Sequence, residues 1–315
     1  MLASLALVGE AFIFATRKDD SDALHTQAIR SDCRVYAPPL PDSLSFCGER
    51  VPLNLYYVRE SLDRELVSNM YYQSNTLFYI KRAARVFPVI EPILRQEGVP
   101  DDMKYLCVAE SGLQCVSSPA GAQGWWQFMK PTALQYGLEV GDDIDMRNHL
   151  EASTRAACRF LKNLKSRLGG WPEAAAAYNC GEGGLNRQLS SQRQDSYYEL
   201  LLNSETQRYV YRILAIKLIM QHPQDYGFFV RHCDTYATPL TEEVELSGQN
   251  VDLVSFATEH GTTYKVLRML NPWLTSSTLR NKLGKTYMVS VPVKKGTEYN
   301  TMVRGKHDTT LIEKL

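Results

Sequence analysis

Apolar residues recur with a helical period through residues 51–220, and no convincing alternating stretch interrupts them. That pattern fixes the fold class of most of the chain. Ala157, Leu161, Leu164 and Leu168 fall at i, i+4, i+7 and i+11, which lays one apolar stripe along a helix. Val210, Ile213, Leu214 and Met220 repeat the pattern in a later helix. A further apolar helix spans 77–94, where Pro88 and Pro92 are expected to kink it or end its first half. Gly98 and Pro100 stop it, and Asp101 and Asp102 are expected to cap and charge the start of the next helix. The span predicts a mainly α domain.

The flanking segments read differently. Residues 2–15 form an apolar run of signal-peptide length, interrupted by Glu10 and preceded by no Lys or Arg. The run is shorter than a comfortable membrane span and is read as a signal-like segment. Residues 16–50 read as a linker, with Ala37-Pro38-Pro39-Leu40-Pro41 disfavouring helix. After Pro239 the pattern gives a strand at 244–246, a helix at 251–260 closed by Gly261, and a second helix at 263–270. A strand at 287–291 ends at Pro292. This β-α-α-β order predicts a small α+β module. The expected organisation is a signal-like segment and linker at 1–47, a helical domain at 48–225 and a linker at 226–242. The α+β module then occupies 243–293, with a tail at 294–315.

Composition narrows the function. Thirty-five basic and thirty-five acidic side chains cancel, so bulk charge gives no support to nucleic-acid binding. The seven cysteines form no CxxC pair and the six histidines no HExxH, so no metal site is expected. An odd cysteine count leaves at least one thiol without an intramolecular partner, and about half or more are expected to act as small buried apolar residues. Eighteen tyrosines and four tryptophans suffice for a carbohydrate groove, although most are expected in the core.

The chemistry concentrates in three stretches. Glu110 ends an apolar helical turn containing Tyr105, Leu106, Val108 and Ala109, an environment that raises a carboxyl pKa. A raised pKa suits a proton donor near neutral pH. No Asp or Glu occurs from Ser111 through Leu138, whereas a two-carboxylate glycosidase needs a second acid across the scissile bond. Gly121 and Gly124 permit tight turns before Trp125 and Trp126, so the loop can bring backbone amides and flat apolar surface against sugars. Taken singly, a Glu at a helix end is usually a solvated surface group, and a Gly-x-x-Gly is just a turn.

The ordered set is more specific than its parts. Glu110-Ser111 is followed by Ser118-Pro119-Ala120-Gly121-Ala122-Gln123-Gly124-Trp125-Trp126-Gln127-Phe128-Met129, then by Ala177-Tyr178-Asn179-Cys180-Gly181. It resembles the goose-lysozyme-like lytic transglycosylases (SLT domains), and among them the membrane-bound murein type D, over about residues 48–222. The resemblance implies a lysozyme-like helical fold that cleaves peptidoglycan glycan strands between N-acetylmuramic acid and N-acetylglucosamine, leaving a 1,6-anhydro end. It implies Glu110 as the single acid/base and no cofactor, because proton transfer and intramolecular attack require none. Ser118 and Gln127 would line the sugar sites, and Met129 would form an apolar wall. Tyr178 and Asn179 would contact sugar and orient the carboxyl, and Tyr209 would reach the site from the last helix. For Met129 the core reading is about as good, and for Gln127 and Asn179 the alternative is structural hydrogen bonding. Residues 243–293 resemble a divergent LysM module, with Gly248-Gln249-Asn250-Val251 where Gly-Asp-Thr-Leu is usual. Such modules bind N-acetylglucosamine-containing glycans; the alternative is a structural appendage that packs on the catalytic domain.

Three departures from the family pattern stand out. Trp125 replaces a common Leu or Ile, Lys130 intervenes before Pro131, and Asn148-His149 stands where Asp-Pro is common. A hydrolytic muramidase and a non-catalytic peptidoglycan-binding scaffold remain as alternatives. The substrate implies export to the periplasm or cell envelope, with membrane association possible and the oligomeric state open.

Overall fold

The computed structural model describes residues 22–24, 26–27, 35–303 and 308–315. The apolar run at 2–15 and Cys33 lie outside them. Two hydrophobic cores organise the chain, one under the helices and one under the C-terminal strands. After a short antiparallel pair, β1 (Ser45–Phe46) and β2 (Glu49–Arg50), come α1 (Tyr56–Tyr71), α2 (Gln73–Gln96), α3 (Lys104–Ser111) and α4 (Lys130–Gln135). Then follow α5 (Leu150–Leu168), α6 (Trp171–Cys180), α7 (Glu182–Gln192) and α8 (Ser204–Gln221). No helix among the described residues is long and apolar enough to cross a membrane.

Helix α8 is the central post. Asn203 caps it by accepting from the Thr206 N–H at 3.1 Å, and Glu205 in the first turn favours the helix dipole. Nearly every residue from Tyr209 to Met220 is buried, so α8 is apolar on most of its circumference and packs against α1, α3 and α6. Helix α5 carries the predicted stripe, with Ala157, Leu161 and Leu164 buried and Lys165 and Arg167 in its last turn. Four consecutive alanines of α6, Ala174 to Ala177, have no exposed surface, and their small side chains let α6 lie close to α5 and α8.

Several expectations change. Helix α2 does not end at its prolines but runs through Pro88 and Pro92. Both prolines face solvent, where water can satisfy the carbonyls that lose their i+4 donors. Asp101 and Asp102 form a 3-10 turn and make no side-chain cap. Asp102 instead accepts from the Cys47 N–H at 2.6 Å and from Lys217 of α8 at 2.8 Å, while Lys217 also donates to the Ser45 carbonyl at 2.7 Å. That buried cation fastens the β1–β2 hairpin to α8. Residues 44–50 therefore belong to the helical domain rather than to a free linker, and Phe46 lies wholly in its core. Tyr226, Phe228 and Val230 enter the same core from the expected second linker, and Ile312 enters it from the tail.

The second unit holds β3 (Thr241–Leu246), β4 (Val251–Asp252), α9 (Leu253–Glu259), α10 (Tyr264–Leu270), β5 (Thr278–Leu279) and β6 (Tyr287–Pro292). Strands β3 and β6 pair antiparallel from Thr241 opposite Pro292 to Leu246 opposite Tyr287. The β-α-α-β order holds, with β4 and β5 added as a short second pair. Asp252 and Thr263 cap α9 and α10 through the Val254 and Val266 N–H groups. The unit's core of Leu246, Leu253, Phe256, Leu267, Trp273, Val289 and Val291 also takes in Ile144, a residue of the helical domain.

Candidate active site

Helix α3 places Glu110 one residue before its end. The helix closes at Gly112, whose positive φ of 59° lets its N–H return to the Val108 carbonyl at 2.8 Å. A side chain at Gly112 would meet the Tyr79 ring at 2.8 Å, so glycine also permits α2 to approach. Everything on α3 up to Val108 is buried. Burial pushes the Glu110 carboxyl up to about 7, against the opposing effects of a Tyr209 hydrogen bond and the Arg212 charge. The Tyr209 hydroxyl donates to Glu110 Oε1 across 99 residues of sequence. Tyr209 is itself buried, and its own pKa is raised by burial and then by the Glu110 charge.

The loop between α3 and α4 folds on itself. The Gly124 N–H reaches the Val116 carbonyl at 2.8 Å, and Gln123 and Phe128 exchange backbone bonds at 3.1 and 3.2 Å. Gly124 has φ of 82° and stands so close to the Arg147 carbonyl that a Cβ would lie 2.0 Å from it. Trp126 is fully buried and donates its indole N–H to Thr154 of α5 at 2.9 Å. The Cys107 thiol donates to the Trp125 carbonyl at 3.3 Å, tying this loop to the helix that carries Glu110.

The remaining predicted residues take definite places. Tyr178, in the last turn of α6, donates its hydroxyl to the Trp126 carbonyl at 2.7 Å, and its ring packs 5.1 Å from Phe160. Burial and then the nearby Glu110 charge raise its pKa. Asn179 Oδ1 accepts from the Thr206 hydroxyl at 3.2 Å, linking the ends of α6 and α8. Gln127 sits at a positive φ of 50°, and its amide nitrogen donates to the Val116 and Gly124 carbonyls, both at 2.8 Å. Ser118 Oγ accepts from the Ala122 N–H at 3.0 Å. Gln127 and Ser118 therefore use these groups to shape the loop. Met129 follows it with 45% of its surface exposed, which removes the core alternative. Two surface cavities, one bordered by Pro39 and Lys217 and one by Glu49 and Tyr198, contain none of these residues.

Several neighbours escaped the sequence reading. Glu65 of α1 is almost wholly buried and receives Arg208 at 2.6 Å, with Arg212 at 3.9 Å. Arg212 also pairs with Glu205 at 3.2 Å, and both charges act on Glu110 in opposite directions. Arg147 and Asn148, described below, hold the loop from outside. Only the Asn148-His149 departure signalled that second group. Among the described residues no cluster of His, Cys, Asp or Glu could hold a metal, and the six described cysteines are unpaired.

Comparison with known proteins agrees with the architecture. Residues 88–201 match the Transglycosylase SLT domain, and residues 242–295 match the soluble lytic transglycosylase C-terminal LysM-like domain. The membrane-bound lytic murein transglycosylase D of Escherichia coli K12 is 27% identical over 89% of this chain and 64% of its own length. The protein of the same name from E. coli O6:H1 gives the same figures. A putative tributyltin chloride resistance protein of an Alteromonas species is 30% identical over 35% of the chain and 56% of its own length. The chain thus spans just under two thirds of the length of the transglycosylases it matches. It carries a lysozyme-like transglycosylase SLT domain followed by a LysM-like domain of the soluble lytic transglycosylase C-terminal type.

Proposed function

We propose that the chain is a peptidoglycan lytic transglycosylase with Glu110 as its acid and base. The observation that carries this reading is the Glu110 carboxyl itself, held by one tyrosine hydroxyl and pushed up to about 7 by burial. At neutral pH such a group is divided between its acid and base forms, which suits one carboxyl that must do both jobs. As acid it protonates the glycosidic oxygen between N-acetylmuramic acid and N-acetylglucosamine. As base it takes the proton from the muramic C6 hydroxyl, which attacks C1 of the same sugar and closes the 1,6-anhydro ring. The attack is intramolecular, consumes no water and gains from proximity.

The other roles follow from the contacts. Tyr209 orients the carboxyl and stabilises its charged form. Tyr178 holds the Trp126 carbonyl and so sets the loop against Glu110. Asn179, its oxygen fixed by Thr206, presents its amide nitrogen to a sugar acetamido group. Met129 supplies exposed apolar surface, while Ser118 and Gln127 keep the sugar-binding loop in shape. The LysM-like unit binds N-acetylglucosamine-containing strands, and the substrate puts the working site in the cell envelope, on the periplasmic side. In a hydrolytic muramidase water would replace the C6 hydroxyl, and a second carboxylate commonly activates it. The nearby candidates Glu205 and Glu65 are both tied to arginines.

Digestion of purified peptidoglycan followed by mass spectrometry of the released muropeptides distinguishes the readings. Anhydro ends, lighter by one water than reducing ends, are expected. Reducing ends alone would establish hydrolysis, and no release at all would leave a binding scaffold.

A further inference from the structure

Between the two cores lies a short stretch, 139–149, that is bonded in both directions. Toward the loop at 115–128, the Asn148 side-chain oxygen accepts from Gln123 Nε2 at 2.8 Å and from the Cys115 thiol at 3.1 Å. The Asn148 carbonyl accepts from the Trp125 indole N–H at 2.7 Å. Arg147 adds donations to the Gly121 and Phe128 carbonyls at 3.2 and 3.1 Å, with its guanidinium aligned by Asp145. Toward the LysM-like unit, the Asn148 side-chain nitrogen reaches the Pro272 carbonyl at 3.4 Å. The Asp145 N–H donates to the Trp273 carbonyl at 2.8 Å, and the His149 ring lies 5.8 Å from the Trp273 indole. Arg280 on Asp143 at 2.6 Å and Lys285 on Glu139 at 2.9 Å close the rim.

We propose that Asn148 is a positioning residue through which the docked C-terminal unit holds the 115–128 loop in register with Glu110. The proposal rests on the catalytic reading above. Three features point to it. Asn148 is buried, and its amide offers an acceptor to the loop and a donor to the C-terminal unit at once. An aspartate here would keep only the acceptor. Gly124 leaves no room for a side chain beside the Arg147 carbonyl, so the two backbones pass close together and a shift of 145–149 presses on the loop. From Trp125 the connection continues through the Cys107 thiol into the helix that bears Glu110.

The experiment compares the full chain with Asn148→Asp and with the rim double variant Arg280→Gln, Lys285→Gln, which leaves the helical domain untouched. Amide hydrogen exchange is read at 123–128 and at 271–275, and kcat and KM are read on a soluble, uncrosslinked glycan strand. In both variants faster exchange at Gln123, Gly124 and Phe128 is expected, by about tenfold for contacts coupled in one network. A fall in kcat of similar size is expected, with KM changed less than about twofold. A merely structural role for Asn148 would lower the melting temperature without that split. If the rim variant speeds exchange at 271–275 but leaves 123–128 as in the wild type, the loop stands unaided and the proposal is overturned. If no protein turns over glycan while the exchange pattern appears as expected, the brace stands and the catalytic reading alone fails.

Discussion

Replacing Glu110 by Gln is expected to stabilise the folded protein at alkaline pH while removing its activity. In the unfolded chain the carboxyl titrates near its usual 4.5, and in the folded protein near 7. Below 4.5 both states hold the proton and the group has no net effect on stability. Between the two values the folded state keeps a proton that the unfolded state has lost, so stability falls as pH rises. Above 7 the whole difference has been lost. At about 1.36 kcal/mol per pH unit the gap comes to about 3 kcal/mol. Gln does not titrate and its side-chain oxygen still accepts from Tyr209, so the variant escapes this loss. Urea unfolding of both proteins at pH 5 and pH 8 checks the sign, because other titrating groups cancel in the difference. The variant is expected to gain about 3 kcal/mol on the wild type at pH 8 and little at pH 5. An equal difference at both values, or a less stable variant at pH 8, would show that burial does not hold the Glu110 proton.

Two further outcomes follow from the site. Tyr209→Phe removes the hydrogen bond that favours the charged carboxyl, so the alkaline limb of the pH–rate profile is expected to move upward; a downward move refutes this role. Gly124→Ala drives a Cβ to 2.0 Å from the Arg147 backbone at a positive φ, and a loss of about 1–3 kcal/mol is expected in thermal or urea unfolding; an unchanged midpoint refutes the close approach.

The helical periodicity announced α5 and α8 because each buries a regular face, and period alone carries that information. It left open whether α2 kinks or ends at Pro88 and Pro92; the helix runs through both, which face solvent, and exposure is not written in local sequence. Glu110 was legible from its apolar turn and from the motif order around it. Its partner Tyr209 was legible only by resemblance, because 99 residues separate the two and no local pattern connects them. Gln127 was legible as important, but whether its amide meets sugar or backbone depends on a left-handed φ that its neighbours impose. Glu65 with Arg208, and Asn148 with Pro272, were invisible for the same reason: each joins segments far apart in the chain.

Ile144 leaves the helical domain and lies in the core of the C-terminal unit, so the two bodies share a side chain rather than a tether. A glycan gripped by that unit would meet Glu110 at a constant offset, as work held in a jig meets a saw.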